Sequence, residues 1–378
     1  MKKIALIGST GSIGKQTLSV VRKHPDKFKI VSLSAGNNAQ EFSSQVKEFM
    51  PKVATLSCAL PDSVREVKGV EFFSGEDSFK NAIIKEADVV VVALVGFKGI
   101  VAVLDAIEKG KNVALANKES LVVGGSLVMQ RAKEKGVKIL PIDSEHSAVW
   151  QALSFDFEKP FNKIILTCSG GAFRDLSKEQ LRSVTAKDAL KHPNWNMGAK
   201  ITIDCATLVN KAFEVIEAKW LYNTSFDKID VIIHRESIIH SMVEYVDRSV
   251  MAQMSYPTME LPIALALSYP ERLNIGLKSL DFAELKTLSF ENVDHDRFPC
   301  FNLVLEGAKE GGTYPAVVNG ANEMAVKLFL EGKIGYNDIY KAIYGAMQSF
   351  DGGHHVEEDH LVEADAFARR YVAQLFGV

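Results

Sequence analysis

The sequence predicts an α/β protein: an N-terminal doubly wound parallel-sheet dinucleotide domain, an α+β catalytic domain and a C-terminal helical bundle. Three observations carry this expectation. Short apolar runs alternate with helical periodicity through the N-terminal third, as a parallel sheet with crossover helices requires. A glycine-rich turn directly follows the first of those runs. The last quarter reads as long amphipathic segments with little strand character.

Strands are expected at residues 4–7, 29–33, 53–56, 89–94, 112–116 and 137–140, with helices between them at, for example, 14–23 and 39–49. The valine run within ADVVVVALVGF is apolar on both faces, which suits a central strand, and it is too short to cross a bilayer. Past Glu145 the pattern changes. Candidate strands at 164–167, 201–204, 231–234, 241–246 and 250–254 follow, the last two joined by Asp247-Arg248-Ser249, a hairpin signal. Helical periodicity then occupies 316–330, 335–349 and 357–376. The implied division is a dinucleotide domain at 1–143, a catalytic domain at 144–268, a linker at 269–294 and a helical domain at 295–378.

Composition narrows the function. At 378 residues, two or three domains are expected at about 150 residues each. A net charge of -3 gives no basic surplus for nucleic acid. The four cysteines, Cys58, Cys168, Cys205 and Cys300, form no CxxC pair, which suits a reducing, cytoplasmic setting. Lys2-Lys3 followed by a brief apolar run imitates a signal peptide, but the run stops at Gly8.

The first turn, Gly8-Ser9-Thr10-Gly11-Ser12-Ile13-Gly14, is a strand-to-helix crossing whose glycines let backbone approach a pyrophosphate. It reads G-x-x-G-x-x-G, not the commoner G-x-G-x-x-G. After the second strand, Gly36-Asn37-Asn38 stands where an NAD site normally has a carboxylate for the ribose hydroxyls. No carboxylate repels a 2′-phosphate there, so NADPH fits better than NADH, although no Arg or Lys attracts it either.

Polar chemistry gathers further on. Asp143 and Glu145 are spaced i and i+2, and in an extended segment both would aim at one hard cation. The same string also suits a capping turn that starts a helix. Thr167-Cys168-Ser169-Gly170-Gly171 follows a strand and reads either as an anion nest or as an ordinary glycine turn. The 192–198 segment, HPNWNMG, suits a hinged lid carrying Trp195 and Met197, or a loop with a structural Trp. Asn210, Lys211 and Glu214 share one helical turn, where a surface ion pair is the plain alternative.

Taken together these strings resemble one family, 1-deoxy-D-xylulose 5-phosphate reductoisomerase. The resemblance runs through the whole chain: GSTGSIG, ALANKESLV, PIDSEHSA, SGGAFR, HPNWNMG, NKAFEVIEAKWL, HSMVEY, FPCFNL and NGANEMAV. It implies NADPH-dependent isomerisation and reduction of a small phosphosugar with Mg2+ or Mn2+, in a homodimer with no nucleic-acid or membrane partner. The metal ligands it implies are Asp143, Glu145 and Glu214. The substrate phosphate would meet Ser169, His192, Asn210 and Lys211. Lys118, Ser144 and Glu145 would face the reacting sugar backbone, with Lys118, Glu145, Glu214 and His192 as the catalytic set. NADPH would meet Thr10, Gly11, Ser12, Ile13, Gly36, Asn37, Asn38, Asn117, Glu119 and Gly198, with Trp195 and Met197 on the closing flap. His240 would lie nearby.

The chain departs from the family pattern at three places. Asn37 stands where Lys or Arg is usual, and Cys205 where a phosphate-binding Ser is usual. Tyr256-Pro257-Thr258-Met259-Glu260-Leu261 replaces the more usual Pro-Asp-Met-Arg-Thr. Two other functions remain compatible with the same elements. A phosphorylating semialdehyde dehydrogenase would use Cys168 as nucleophile and His192 as base. A non-catalytic NADPH sensor would leave the polar groups of 167–214 without a task.

Overall fold

Runs of β-branched residues that can be covered on both faces build the centre of a seven-stranded parallel sheet. The computed structural model describes residues 1–65, 67–195, 197–353 and 355–378. Strands β1 (Lys2–Ile7), β2 (Phe28–Ala35), β3 (Val53–Leu56), β4 (Glu71–Ser74), β5 (Val89–Val92), β6 (Asn112–Leu115) and β7 (Ile139–Pro141) lie in the order β4-β3-β2-β1-β5-β6-β7. Every pairing is parallel. Ile4 to Ile7 and Val90 to Val92 are fully buried, as central strands with helices on both faces must be. The order reverses between β1 and β5, so the crevice at their carboxyl ends is a topological switch point.

The chain forms two compact units, and their boundaries differ from the expected serial division. Unit 1 comprises Met1–Asn117, Val128–Ser147 and Thr258–Leu277; unit 2 comprises Lys118–Leu127, Ala148–Pro257 and Lys278–Val378. The expected linker is therefore divided: its first part belongs to unit 1 and its second part to unit 2. The return of 258–277 to unit 1 is held by charge. Glu260, one of the departures noted above, accepts from Ser19 Oγ at 2.7 Å and Lys23 Nζ at 2.5 Å, both on helix Ser12–Lys23.

Unit 2 carries a five-stranded mixed sheet of β8 (Lys163–Cys168), β9 (Ile229–Ile233), β10 (Ile239–Glu244), β11 (Val250–Met254) and β12 (Glu291–Asn292), in the order β11-β10-β8-β9-β12. Only β8 and β9 pair in parallel. The C-terminal helices are Pro299–Glu310, Tyr314–Leu330, Tyr336–Gln348 and Glu358–Phe376. Buried Ala321, Ala325, Ala364 and Ala368 let Tyr314–Leu330 and Glu358–Phe376 approach closely.

One expected strand is a helix. Ile201, Thr202 and Ile203 are β-branched and suggest a strand at 201–204, yet Ala199–Thr207 is helical. Gly198 forms its extended N-cap, Thr202 Oγ1 donates to Gly198 O at 2.8 Å, and Lys200 pairs with Asp204 one turn on at 2.8 Å. Such local bonds and burial override a propensity of a few tenths of a kcal/mol per residue, an order-of-magnitude figure. Strand β4 and helix Pro299–Glu310 were not anticipated.

Candidate active site

In unit 1 the expected cofactor residues line the carboxyl edge of the sheet. Gly8 ends β1 with φ +94°, and its N–H donates to Ser34 O at 2.9 Å. A Cβ at Gly8 would lie 2.5 Å from Ala93 O, and one at Gly14 would lie 2.2 Å from Gly8 O, so the turn closes only with glycine. Helix Ser12–Lys23 starts from Gly11 with no side-chain cap and no acidic residue in its first turn. Its N-terminus keeps the donor field and dipole that suit a pyrophosphate. Thr10, Gly11, Ser12 and Ile13 occupy this turn, while Gly36, Asn37 and Asn38 follow β2 and are exposed. Asn38 also caps helix Ala39–Phe49, accepting from Glu41 N at 3.2 Å. Asn117 is buried after β6 and donates to Leu94 O and Gly96 O, each at 3.1 Å, which ties down the turn after β5.

Asp143 follows β7, but the string is not extended as the i, i+2 argument supposed. Ser144 begins helix Ser144–Ala152, and Asp143 Oδ1 accepts from Glu145 N at 3.3 Å, so the capping turn is real. Asp143 Oδ1 also lies 3.3 Å from His146 Nδ1. Both carboxylates thus sit at a helix N-terminus, a setting that favours negative charge. Ser144 Oγ donates to Glu145 Oε2.

In unit 2 a buried carboxylate is held by two buried lysines. Glu214, on helix Val209–Leu221, is 1% exposed. Lys118 Nζ lies 2.9 Å from its Oε1, Asn210 Nδ2 donates to the same oxygen at 2.6 Å, and Lys211 Nζ donates to Oε2. Lys211 Nζ also donates to Thr167 O at 2.6 Å. The surface ion pair that the spacing allowed is thus a buried cluster, with Lys118 and Lys211 only 6% and 3% exposed. Two ammonium groups thus share one buried carboxylate. Removing one partner of such a buried pair costs about 3–5 kcal/mol.

Ser169 and His192 meet as well. Ser169 Oγ lies 3.0 Å from His192 Nε2, and Gly171 N donates to the same oxygen at 3.2 Å. His192 Nδ1 accepts from Asn194 N at 3.2 Å and Trp195 N at 3.0 Å. An Nδ1 that accepts twice carries no proton, so the neutral ring holds its hydrogen on Nε2 and donates to Ser169. Burial, then the charge of Arg174, lowers the His192 pKa to about 4, in keeping with that tautomer. The Ser169 hydroxyl, already accepting twice, is free to donate its own hydrogen to a ligand oxygen. Because Gly171 N–H is engaged by Ser169, the nest acts through the serine as much as through bare amides.

These contacts weaken the dehydrogenase alternative. Both His192 nitrogens are committed elsewhere, and its Nε2 addresses Ser169 in place of Cys168. Gly171 and Cys205 are close for a different reason: a Cβ on Gly171 would lie 2.3 Å from Cys205 O. Burial raises the Cys205 pKa above the usual thiol range, against the opposing charges of Lys118 and Lys211, so the sulfur stays protonated.

The expected flap is seated on neighbouring backbone. Asn194 Nδ2 donates to Arg235 O and Ser237 Oγ, each at 2.6 Å, and Trp195 packs edge-on to His240 with ring centroids 6.2 Å apart. That contact gives His240 a place. Met197 is half-buried, Gly198 caps the following helix, and Asn196, also in the expected flap, lies outside the described residues. Glu119, also expected at the cofactor, lies 2.6 Å from Lys200 Nζ. Burial opposes its ionisation, but the charge and hydrogen bond of Lys200 outweigh burial and hold the carboxyl below its ordinary range. Sequence reasoning missed Arg174, whose Nη1 donates to Ser169 O at 2.9 Å, and Asn194. Both lie inside recognised strings, SGGAFR and HPNWNMG, but neither has a partner at helical or strand spacing to draw attention to it.

Comparison with known proteins matches the whole chain to one family. Residues 4–125 match 1-deoxy-D-xylulose 5-phosphate reductoisomerase, residues 139–222 its C-terminal domain, and residues 254–371 the DXP reductoisomerase C-terminal domain. The chain is 46% identical to the 1-deoxy-D-xylulose 5-phosphate reductoisomerase of Geobacillus sp. (strain WCH70), over 99% of this chain and 100% of that protein. It is 48% identical to that of Pelodictyon phaeoclathratiforme, over 98% of each chain. Among solved structures it resembles the Zymomonas mobilis enzyme in complex with NADPH, with TM-score 0.92, 38% identity and 99% of each chain covered. It also resembles a DOX-P reductoisomerase in complex with NADPH, fosmidomycin and magnesium, with TM-score 0.93, 36% identity, and 100% of this chain and 98% of that one covered.

Proposed function

The chain belongs to the 1-deoxy-D-xylulose 5-phosphate reductoisomerase family, and we propose on that footing how its own residues carry the reaction. It is an NADPH-dependent oxidoreductase that converts 1-deoxy-D-xylulose 5-phosphate to 2-C-methyl-D-erythritol 4-phosphate for isoprenoid synthesis. The carbon skeleton rearranges, by retro-aldol cleavage and re-aldolisation, to a branched aldehyde, which a hydride and a proton then reduce to the alcohol. When bound, NADPH supplies the hydride, and a divalent cation, Mg2+ or Mn2+, stabilises negative charge on the substrate's chelating oxygens.

The residues suit both groups. The turn closes on its own backbone only without a Cβ at Gly8 and Gly14, and the N-terminus of Ser12–Lys23 carries no competing acid. Asp143, Glu145 and Glu214 offer the hard carboxylate oxygens that Mg2+ or Mn2+ prefers.

The observation that carries this reading is the buried Lys118–Glu214–Lys211 cluster, because it gathers below the surface the ammonium groups that suit a phosphorylated substrate and a carboxylate that suits a hard cation. Lys211 and Asn210 hold the substrate phosphate together with the outward Ser169 hydroxyl, and neutral His192 orients that hydroxyl. The Cys205 thiol, kept protonated, adds a weak donor in place of the usual serine. Lys118, with Ser144 and Glu145, faces the reacting carbons, where Lys118 favours the oxyanions that develop and Glu145 handles protons. Trp195 and Met197 close over the site and exclude water from the aldehyde. Thr10, Gly11, Ser12, Ile13, Gly36, Asn37, Asn38, Asn117, Glu119 and Gly198 serve the dinucleotide.

Two copies are expected to pair: edge strand β11 presents Val250 and Met251, 47% and 54% exposed, beside unpaired backbone. Four cysteines without disulfides suit the cytoplasm. No helix among the described residues is long and apolar enough to cross a membrane.

The test is NADPH oxidation with 1-deoxy-D-xylulose 5-phosphate, before and after EDTA. Turnover that EDTA abolishes and Mg2+ restores is expected. Metal-independent turnover of an acyl phosphate or semialdehyde, lost on alkylating Cys168, would sink this reading in favour of the dehydrogenase.

A further inference from the structure

A second buried ion cluster in unit 2 includes Glu119, while its Lys200 and Asp204 have no part in the chemistry above. Lys200, two residues beyond Gly198, places Nζ 2.6 Å from Glu119 Oε1 and 2.8 Å from Asp204 Oδ2. The three side chains are 17%, 9% and 2% exposed. Asn322, on helix Tyr314–Leu330, donates to the other Asp204 oxygen at 2.9 Å. Glu323 adds a further negative charge that favours the Lys200 cation, and it is itself held by Arg369 at 2.6 Å.

A buried trio of this kind is a poor way to gain stability, since desolvation offsets most of the attraction. Lys200 and Asp204 already match one turn apart on their helix, so Glu119, from another helix, adds a second carboxylate that stability alone does not call for. What the contact does provide is location. Glu119 is the neighbour of Lys118, the lysine on Glu214. Lys200 sits in the first turn of Ala199–Thr207, whose N-cap Gly198 ends the flap and makes no side-chain cap. The alternating charges of Lys118 and Glu119 are thus each matched by an opposite charge, one at the substrate cluster and one at the root of the flap.

We propose that Lys200 is a positioning residue whose ammonium, shared by Glu119 and Asp204, fixes the flap root to the Lys118-Glu119 turn, so that cofactor-side and substrate-side groups are set together. The inference rests on the reading above that Glu119 serves NADPH and residues 192–198 close over substrate. Lys200 acts in this proposal only through Glu119 and Asp204.

The test uses the full chain with Lys200→Gln, Lys200→Arg, Glu119→Gln and the double variant Glu119→Gln/Lys200→Gln. Steady-state constants are measured for both NADPH and 1-deoxy-D-xylulose 5-phosphate. Lys200→Gln is expected to raise both KM values about tenfold, with kcat changed far less, the size of a typical coupling between sites. Lys200→Arg should recover much of the loss. In the double variant the two effects should fall well short of additive, because the contact is already gone. Wild-type KM values in Lys200→Gln, a lower Tm with unchanged KM, or strictly additive effects would each overturn the proposal. Should Lys200→Gln fail to fold, Glu119→Gln tests the same contact while leaving Lys200 paired with Asp204. A rise in both KM values supports the coupling, whereas a rise for NADPH alone overturns it. Wild-type turnover is measured first: its absence would remove the underlying reading, whereas normal turnover with an unaltered Lys200→Gln overturns this proposal alone.

Discussion

The two units are built from different materials at the residues singled out above. Unit 1 shapes the edge proposed for the cofactor with backbone: glycines that admit no Cβ, a helix N-terminus without a side-chain cap, and parallel strand ends. Unit 2 shapes its cluster with buried side chains of opposite charge drawn from distant positions, such as Lys118 and Glu214 or Glu119 and Lys200. A backbone site should fail when atoms are added, and a charge site when charge is removed.

The largest effect is expected from removing charge. Glu214→Gln keeps the shape but deprives two buried lysines and the proposed cation of their carboxylate. Loss of several kcal/mol of transition-state stabilisation, on the order of a thousandfold in kcat/KM, should result. A metal titration of the variant should also need more Mg2+, and unchanged metal dependence would take Glu214 out of the site. Adding atoms to unit 1 comes next. The Gly14→Ala Cβ would sit 2.2 Å from Gly8 O, so the turn must shift, and NADPH should bind on the order of tenfold more weakly. Equal NADPH affinity by fluorescence titration would mean that the turn does not shape the pyrophosphate site.

Smaller edits sharpen the contrast. Asn37→Lys adds a charge to an edge that otherwise works through backbone, and should widen the NADPH over NADH preference several-fold, or about 1 kcal/mol. A wild-type enzyme with higher kcat/KM for NADH would contradict the cofactor assignment. Cys205→Ser exchanges one weak neutral donor for a better one, about 0.5–1.5 kcal/mol, so KM for substrate should fall several-fold at most. Wild-type Cys205 should also react slowly with alkylating agents near neutral pH, because burial keeps it a thiol. Fast labelling that substrate does not slow would place it outside the phosphate pocket.

His192 gives a pH test. Its pKa is lowered from 6.5 to about 4 in the fold, so between those values the unfolded chain binds the extra proton. The stability tied to neutral His192 is therefore complete above pH 6.5 and is lost as pH falls toward 4. Melting temperatures of wild type and His192→Asn should converge over that interval, and parallel curves would show that His192 does not titrate there.

The same contrast explains what the sequence made legible. Glycine spacing, valine runs and amphipathic helices are local, so the parallel sheet, helix 39–49 and the C-terminal helices could be read directly. Asp143 and Glu145 were recognised as a pair for a geometry they do not have, since Ser144 starts a helix. Residues 201–204 look like a strand because the bonds that make them helical involve Gly198 and Lys200 as partners. Lys118 and Glu214 stand 96 positions apart, and Glu119 and Lys200 81 apart. No periodicity connects such residues; the family resemblance suggested a common site for the first pair, while the second emerged only from the fold.

The most direct test is a crossed binding experiment on Gly14→Ala and Glu214→Gln, with NADPH followed by fluorescence and Mn2+ by its paramagnetic resonance. Gly14→Ala should lose NADPH affinity and keep Mn2+, while Glu214→Gln should lose Mn2+ and keep NADPH. Parallel loss of both ligands in both variants would contradict a division of labour between a backbone-built and a charge-built group of residues.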